Sequence, residues 1–171
     1  MARAPVFGIV GYKNNGKTTL LVRLVRHLSA RGLVVSTVKH AHHSVELDQP
    51  GKDSYEHRRA GAREVMLATA RRWFLVHELA DAGDEPPPLA RLLARMSQAD
   101  LVLVEGFKTC DHPKLEVHRR ARGTPLLARG DPTVLAVASD GPLEDLDRPV
   151  FHLDDIPAIA DFVLRHARRW P

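Results

Sequence analysis

A glycine-rich segment near the beginning of the chain places the tightest constraint on its fold. Residues 11–18 match the pattern G-x-x-x-x-G-K-[ST] at every fixed position. The apolar residues 6–10 before it predict a buried strand, and apolar residues at helical spacing within 19–28 predict a helix. This helix should end near residues 30–32, with Gly32 as its left-handed cap. Strand, loop and helix in this order predict an α/β fold, with a mostly parallel central sheet flanked by helices.

The residue types of this loop suit a phosphate ligand. Gly11 and Gly16 permit backbone angles and close approaches that a Cβ would block. Successive N–H groups can then surround a phosphate at the positive end of the helix dipole, while Lys17 reaches the outer phosphates and the Thr18 hydroxyl binds Mg²⁺. This is the arrangement of the P-loop NTPase fold, and it predicts a bound nucleoside triphosphate. The predicted nucleotide-binding residues of the loop are Gly11, Asn14, Asn15, Gly16, Lys17, Thr18 and Thr19.

The composition limits the classes of protein to which this chain can belong. Its 171 residues predict a single nucleotide-binding domain over residues 1–171. The net charge of +4 and the low aromatic content give no support for nucleic-acid binding. The single cysteine, Cys110, excludes an internal disulfide and favours the reducing cytoplasm, and no apolar run approaches the length of a membrane span.

A basic, histidine-rich segment follows the second predicted strand, residues 33–38. It contains Lys39, His40, His42 and His43, and ligands of parallel sheets bind beyond the carboxyl ends of the strands. The histidines could therefore bind a metal, line a site for an anionic substrate, or belong to an ordinary surface loop. Alternation along a strand would point His42 and His43 to opposite sides, which weakens the case for a three-histidine metal site.

The segment after these histidines predicts a short helix. Residues 53–56 fit a capping box, which would make Asp53 the N-cap of this helix, and a place in the Mg²⁺ shell is the alternative. Arg58 lies on the same helix, where an exposed position is the default and a contact with an anionic ligand is the alternative.

Two apolar runs, residues 64–68 and 73–76, predict the next pair of strands. The short connection between them predicts an antiparallel β-hairpin. Arg71 and Arg72 lie at the tip of this hairpin. They are either surface residues or, in the sharper hypothesis, contacts to a nucleotide or substrate phosphate, and we include Arg72 among the predicted nucleotide-binding residues.

The second decisive segment is the apolar run at residues 101–104, followed by Glu105. Four consecutive apolar residues predict a central parallel strand, which places the Glu105 carboxylate at its carboxyl end. Phosphoryl-transfer sites need an acid at this point to hold Mg²⁺ or to orient the attacking water. We therefore predict Lys17 and Glu105 as catalytic residues, and Thr18, Glu105 and Asp53 as metal ligands.

The remaining candidates lie in the second half of the chain. Residues 114–119 alternate between polar and apolar and predict a half-exposed strand. Cys110 and His112, just before it, are too few for a complete metal site. Asp140 follows a predicted buried strand at residues 133–138. Its carboxylate could accept both N–H groups on the edge of guanine, or it could belong to a turn.

The end of the chain predicts a final helix. Either Asp154 or Asp155 can act as its N-cap, with Pro157 in the first turn. Three basic residues would then suit the negative end of the helix dipole, namely Arg165, Arg168 and Arg169.

The order and spacing of these motifs resemble the molybdopterin-guanine dinucleotide biosynthesis protein B (MobB) family, over nearly the whole chain. The segments that carry the resemblance are residues 11–19, 38–43, 53–62, 71–73, 103–108 and 113–117. The resemblance implies a GTP-binding accessory protein with weak Mg²⁺-dependent GTPase activity, usually dimeric, that assists a partner molybdenum cofactor guanylyltransferase in joining GMP to molybdopterin. It implies that Lys17, Thr18 and Glu105 have nucleotide and Mg²⁺ roles, and it leaves open whether molybdopterin itself binds.

Two other functions compete with this hypothesis. A metallochaperone GTPase would use the histidines at 40, 42 and 43 together with Cys110 and His112. A small-molecule kinase would use three arginines as a lid or anion clamp, namely Arg119, Arg120 and Arg122. The leading hypothesis predicts a preference for GTP over ATP. In it, the residues that line an anionic substrate are Lys39, His40, His42, His43 and Arg58.

Overall fold

The computed structural model describes residues 4–41, 49–79 and 86–170. These residues form two compact units. The first unit draws on the chain up to His40 and from Pro87 onward, and the second on Ala41–Pro86.

The first unit contains the predicted central sheet. Its strands are β1 (Pro5–Val10), β2 (Val35–Lys39), β5 (Leu101–Glu105), β6 (Lys114–His118), β7 (Val134–Ser139), β8 (Val150–His152) and β9 (Arg168–Arg169). Its helices are α1 (Lys17–Ala30), α3 (Leu89–Leu93) and α4 (Ile156–His166). Two short 3₁₀ turns, Arg120–Arg122 and Leu127–Arg129, follow β6.

The strands of this sheet lie in the order β2-β5-β1-β6-β7-β8, and β9 pairs with the start of β1. All the pairs along that path are parallel, whereas β9 is antiparallel to β1. Parallel pairing brings the carboxyl ends of the strands to one edge of the sheet. The predicted α/β fold with a mostly parallel sheet and helices is therefore confirmed.

The second unit contains α2 (Asp53–Arg59) and a hairpin of β3 (Glu64–Ala68) and β4 (Trp73–His77). The two strands are antiparallel, as the sequence predicts. Thr69 closes the turn, since its backbone N–H donates to the carbonyl oxygen of Arg72 at 2.8 Å.

Alternate side chains of β1 pack into two separate layers of the first unit. Phe7 and Ile9 are fully buried with Leu24 of α1 and Ile159 of α4. Val6 packs on the opposite face of the sheet with Leu89 of α3. This two-sided burial explains why β1 is apolar at nearly every position, as a central parallel strand requires.

Two helix ends agree with the predictions. Gly32, just after α1, has a φ of +85°, and the N–H of Leu33 donates to the carbonyl of Leu28 at 3.2 Å. This is the glycine-assisted ending expected there. Of the two candidate caps for α4, the structure uses Asp155, whose carboxylate accepts from the N–H of Ala158 at 3.2 Å.

Two predicted helix features are wrong. Asp53 is not the N-cap of α2: Lys52 holds that position, and Asp53 is the first helical residue. The carboxylate is thus placed in the first turn, where it can interact with the helix dipole. Of the three arginines predicted near the end of α4, Arg165 lies in the last turn, whereas Arg168 and Arg169 do not. The helix ends at His166, Ala167 is extended, and the two arginines form β9.

The prediction of a half-exposed β6 is also wrong, because the strand is buried along its whole length. Its polar side chains find partners inside the protein. Lys114 donates to the carbonyl of Cys110 and the hydroxyl of Thr133, and its Nζ lies 3.4 Å from Asp131. Since buried polar groups are tolerated when they are hydrogen-bonded, an alternating sequence can occupy the middle of a sheet.

Candidate functional site

The predicted phosphate-binding loop, residues 11–18, follows β1 at the carboxyl edge of the sheet, and its two glycines are required by the backbone. Gly11 has a φ of +138°, and a Cβ at this position would lie 2.4 Å from the carbonyl oxygen of Val117 in β6. Gly16 has a φ of +97° at the start of α1. Asn14 also has a positive φ, +66°, which asparagine tolerates better than most residues. The loop therefore has the conformation that its glycine pattern predicts.

Asn15 connects this loop to the segment after β6. Its side chain is completely buried, and its Oδ1 accepts a hydrogen bond from the backbone N–H of Arg119 at 2.7 Å. Its Nδ2 donates to the hydroxyl of Thr124 at 3.4 Å. The amide side chain thus restrains the loop, and a contact between nucleotide and Asn15 would have to come from its backbone.

The beginning of α1 offers donors to an anion. Gly16 is its N-cap, none of the described side chains caps the helix, and its first turn contains no acidic residue. The first intrahelical bond is donated by Leu20 to Gly16 at 2.9 Å. The N–H groups before Leu20, including those of Lys17, Thr18 and Thr19, are therefore at the positive end of a 14-residue helix dipole, which favours a phosphate group.

Three lysines form a cluster of cations beside the loop, namely Lys17, Lys39 and Lys108. The Nζ of Lys17 donates to the carbonyl oxygen of Tyr12 at 3.0 Å. Burial lowers the pKa of Lys17, Glu105 opposes that shift, and the positive charges of Lys108 and Lys39 add to it. The ammonium group of Lys108 lies 4.7 Å from the centre of the Tyr12 ring. An anionic ligand would relieve this repulsion among the lysines.

Thr18 and Glu105 meet at the same edge. The Thr18 hydroxyl lies 3.0 Å and 3.2 Å from the two carboxylate oxygens of Glu105. Glu105 ends β5, which pairs directly with β1, so the neighbouring strands bring loop and carboxylate together. A hydroxyl and a carboxylate are hard oxygen donors of the kind that Mg²⁺ prefers, and their juxtaposition fits a Mg²⁺ ion beside the phosphates.

The end of β2 adds Lys39 and His40 to this edge. The Nζ of Lys39 is 3.6 Å from a carboxylate oxygen of Glu105, and the backbone N–H of His40 donates to the Glu105 carbonyl at 2.9 Å. The imidazole ring of His40 lies 5.1 Å from the ring of Phe107, centre to centre. His42 and His43 lie outside the described residues, so their predicted roles stay predictions.

Asp140 lies at the carboxyl end of β7 and is held by the segment after β6. Its Oδ1 accepts from the backbone N–H of Arg120 at 3.0 Å, and its Oδ2 lies 3.7 Å from the guanidinium of Arg119. The same guanidinium approaches the phosphate-binding loop: its nitrogens are 3.4 Å and 3.5 Å from where a Cβ on Gly16 would be. In the sequence, Arg119 is one member of an arginine cluster with no predicted contact to the loop. The pairing of β6 with β1 brings it beside Gly16.

Three predicted site residues belong to the second unit. Asp53 begins α2, Arg58 lies in α2, and Arg72 precedes β4. Arg58 forms an ion pair with Glu78 at 2.6 Å. The predicted contacts of these residues with nucleotide, metal or anion stay predictions.

The metal-site hypothesis gains no support from the described residues. Within 4–41, 49–79 and 86–170, no group of three or more His, Cys, Asp or Glu side chains is arranged to hold a metal ion. Burial raises the pKa of the Cys110 thiol, and burial followed by the charge of Lys114 lowers the pKa of His112 to about 4.

Among the same residues, no helix has both the length and the apolar character needed to cross a membrane.

Comparisons with known proteins agree with one another. The family model described as molybdopterin guanine dinucleotide synthesis protein B (MobB) matches residues 6–140. The chain is 43% identical to the molybdopterin-guanine dinucleotide biosynthesis adapter protein of Haemophilus influenzae, over 93% of this chain and 87% of that protein. It is 42% identical to the adapter protein of the same name from Escherichia coli, over 94% of this chain and 91% of the relative.

Solved structures give the same result. A crystal structure of molybdopterin-guanine biosynthesis protein B superposes with a TM-score of 0.73 at 27% identity, and the match covers 94% of this chain and 98% of that one. The family match extends from β1 through the phosphate-binding loop and Glu105 to Asp140. The chain therefore belongs to the MobB family.

Proposed function

We propose that this protein is a GTP-binding adapter in the biosynthesis of molybdopterin guanine dinucleotide, with slow Mg²⁺-dependent GTPase activity. The observation that carries the proposal is the meeting of the Thr18 hydroxyl with the Glu105 carboxylate at the start of α1, in a loop of phosphate-binding sequence. The adapter role is supported by the relatives from Haemophilus influenzae and Escherichia coli, whose names describe them as adapter proteins of this biosynthesis.

Each part of the site has a role in holding the nucleotide. The N–H groups of the loop and of the first turn of α1 bind the phosphate oxygens, and Lys17 neutralises the outer phosphates. Thr18 and Glu105 hold Mg²⁺, which supplies further neutralisation of phosphate charge when it is bound. Asp140 accepts the two adjacent N–H groups on the edge of guanine, a pattern that adenine does not present.

The product of this biosynthesis contains a guanine nucleotide, which gives a guanine-binding adapter a chemical reason to act beside the enzyme that attaches it. We propose that the partner is the guanylyltransferase that joins GMP to molybdopterin, and that the adapter acts as a homodimer in the cytoplasm. In this proposal the cations at the carboxyl edge, including Lys39, accommodate a second anionic group beside the nucleotide.

The nucleotide part of the proposal is tested by calorimetry of the full chain with GTP and with ATP, each with Mg²⁺. GTP should bind more tightly than ATP, and Lys17→Ala should weaken GTP binding by about 100-fold, because it removes a charged contact with the phosphates. Arg26→Ala is the matched control: it removes an exposed cation further along the same helix, and GTP binding should be unchanged. Equal affinity for GTP and ATP, or full affinity in Lys17→Ala, would contradict the proposal.

The adapter part is tested by reconstitution. Purified guanylyltransferase, molybdopterin and GTP are incubated with and without the wild-type protein, and the dinucleotide product is measured by mass spectrometry. The wild-type protein should increase the yield, and Lys17→Ala should lose that stimulation while Arg26→Ala keeps it. A yield that is the same with and without the wild-type protein would refute the adapter role. The conclusion on nucleotide binding from calorimetry would still hold.

A further inference from the structure

We infer that Arg119 is a positioning residue that joins the phosphate-binding loop to Asp140 and thereby determines how strongly the protein prefers guanine over adenine. The inference rests on the proposed function, because it assigns a role within the same nucleotide site. It concerns a residue that the phosphate-loop pattern does not contain, since Arg119 follows β6, more than a hundred residues later in the chain.

The backbone of Arg119 fixes one side of this connection. Its N–H donates to Oδ1 of Asn15 at 2.7 Å, and the Asn15 side chain is completely buried. The hydrogen bond ties the segment after β6 to the middle of the loop. A substitution of the Arg119 side chain leaves this backbone bond in place, so the side chain can be tested separately from the loop.

The side chain of Arg119 makes the other contacts. Its Nε and one terminal nitrogen lie 3.4 Å and 3.5 Å from the Cβ position of Gly16, and the other terminal nitrogen lies 3.7 Å from Oδ2 of Asp140. The side chain is 42% exposed and that of Asp140 is 31% exposed. One planar cation thus lies against the loop at the start of α1 and faces the carboxylate at the end of β7.

The orientation of Asp140 matters because guanine presents two adjacent N–H donors. A carboxylate with its two oxygens side by side accepts both, provided that it is ionised and correctly turned. The backbone N–H of Arg120 holds Oδ1 at 3.0 Å, and the Arg119 guanidinium lies beside Oδ2. Among the described residues, removal of the guanidinium would leave the Asp140 side chain with the hydrogen bond from Arg120 alone. The carboxylate could then rotate more freely, which weakens its contacts with guanine more than the protein's contacts with phosphate.

This role differs from a direct contact between Arg119 and phosphate. Phosphates are common to GTP and ATP, so a phosphate ligand would affect the two nucleotides by the same factor. A residue that orients Asp140 affects GTP and leaves ATP nearly unchanged. The ratio of the two affinities therefore separates the two roles.

The experiment measures the dissociation constants of GTP and ATP with Mg²⁺ for the full-length wild type, Arg119→Met, Arg119→Lys, Asp140→Asn and the Arg119→Met/Asp140→Asn double variant. Arg119→Met should reduce the GTP-to-ATP preference by about tenfold, the size of one lost hydrogen-bonding interaction to a charged group. Arg119→Lys should recover part of it, because lysine keeps the charge. Arg26→Met is the control and should behave as wild type.

The double variant tests the connection itself. If Arg119 acts through Asp140, the double variant and the Asp140→Asn single variant should have the same ratio of GTP to ATP affinity. The effects of the two substitutions on this ratio would then not be additive. Asp140→Asn should also gain affinity for xanthosine triphosphate, whose C2 carbonyl can accept from the new amide group. Thermal unfolding by circular dichroism verifies that each variant is folded. Should Arg119→Met fail to fold, Arg119→Lys and Asp140→Asn carry the same comparison.

Four results would overturn the inference. GTP and ATP affinities that fall by the same factor in Arg119→Met would make Arg119 a phosphate ligand. Additive effects in the double variant would separate Arg119 from Asp140. A wild-type protein that binds no GTP would refute the proposed function and this inference together, whereas a normal wild type with an unchanged ratio in Arg119→Met refutes the inference alone.

Discussion

The strands β5 and β6 flank β1 on its two sides, and they use polar residues in opposite ways. β5 is apolar until its last residue, Glu105, which lies at the carboxyl edge of the sheet. β6 is polar at every second position, with Lys114, Glu116 and His118 all buried. One strand thus presents a single acid at the candidate site, and the other keeps its polar groups within the fold.

The difference is clearest in two buried glutamates. Glu105 is 8% exposed and its oxygens face a side-chain hydroxyl, that of Thr18, with the Lys39 ammonium nearby. Glu116 is completely buried, and its two oxygens accept from the backbone N–H groups of Leu127 and Ala128 at 3.0 Å and 2.9 Å. Glu116 is completely buried and both of its oxygens are occupied by backbone donors, so it has a structural role. The partner of Glu105 is a side-chain hydroxyl, which can rotate and leave the carboxylate to a ligand. This contrast gives opposite predictions for the two residues.

The largest expected effect comes from the Mg²⁺-binding role proposed for Glu105. Glu105→Gln should lower the rate of Mg²⁺-dependent GTP hydrolysis by about 100-fold to 1,000-fold, because the neutral amide is a poor Mg²⁺ ligand. Its free energy of unfolding should change by less than about 1 kcal/mol, since the amide oxygen still accepts from Thr18. A phosphate-release assay and urea denaturation measure the two quantities. Hydrolysis at the wild-type rate would remove Glu105 from the proposed site.

Glu116 should show the reverse pattern. Glu116→Ala leaves two backbone N–H groups buried without an acceptor, and should lower the free energy of unfolding by about 4 kcal/mol. Glu116→Gln keeps one acceptor oxygen and should lose about half as much. Below the unfolding temperature, both variants should bind GTP as the wild type does. If Glu116→Ala lost GTP binding but kept its stability, Glu116 would belong to the nucleotide site, and the proposed difference between β5 and β6 would be wrong.

His112, just before β6, makes the interior sensitive to acid. Its ring is fully buried, packs edge-on against Trp170, and has no hydrogen-bond partner for either nitrogen among the described residues. Burial, followed by the charge of Lys114, lowers the pKa of His112 from 6.5 to about 4. Between these values the unfolded chain binds a proton that the folded chain does not. Stability should therefore be full above pH 6.5 and fall by about 3 kcal/mol as the pH drops toward 4.

This pH dependence is measured by urea denaturation between pH 7 and pH 4. His112→Leu removes the titrating group at similar volume and should flatten the profile in that window relative to wild type. His57→Gln, which removes an exposed histidine of the second unit, is the control. Parallel profiles for wild type and His112→Leu would mean that this buried ring does not contribute to the acid sensitivity.

The smallest expected effect is at Lys114, at the amino end of β6. Lys114→Met fills a similar volume but removes the donor to Thr133 and to the Cys110 carbonyl, and should cost about 1–2 kcal/mol. The loss is limited because Asp131 keeps its hydrogen bonds from Thr133. Nucleotide binding should be unaffected, as calorimetry at 25 °C can verify. Reduced GTP affinity in this variant would connect the amino end of β6 with the nucleotide site.

The sequence by itself predicts the strand, loop and helix around Lys17, the apolar strand that ends in Glu105, and the hairpin of the second unit. These features depend on local chemistry: glycine conformations, helical spacing and a continuous apolar run. The same local reasoning fails at β6, because the buried polar groups of Lys114 and Glu116 find their hydrogen-bond partners outside the strand. An alternating pattern predicts that the segment is a strand, but it does not show whether other elements cover its polar face.

Only the tertiary structure decides which distant side chains meet. The order β5-β1-β6 places Glu105 on one side of the phosphate-binding loop and Arg119 on the other. The sequence predicts Glu105 as the acid of the site, because the residue ends an apolar strand. The place of Arg119 cannot be read from the spacing of residues along the chain, because parallel pairing joins strands that are far apart in sequence. The sequence therefore determined the strand, the glycine-rich loop and the helix of the phosphate-loop pattern. The pairing of its strands determined which arginine lies beside that loop.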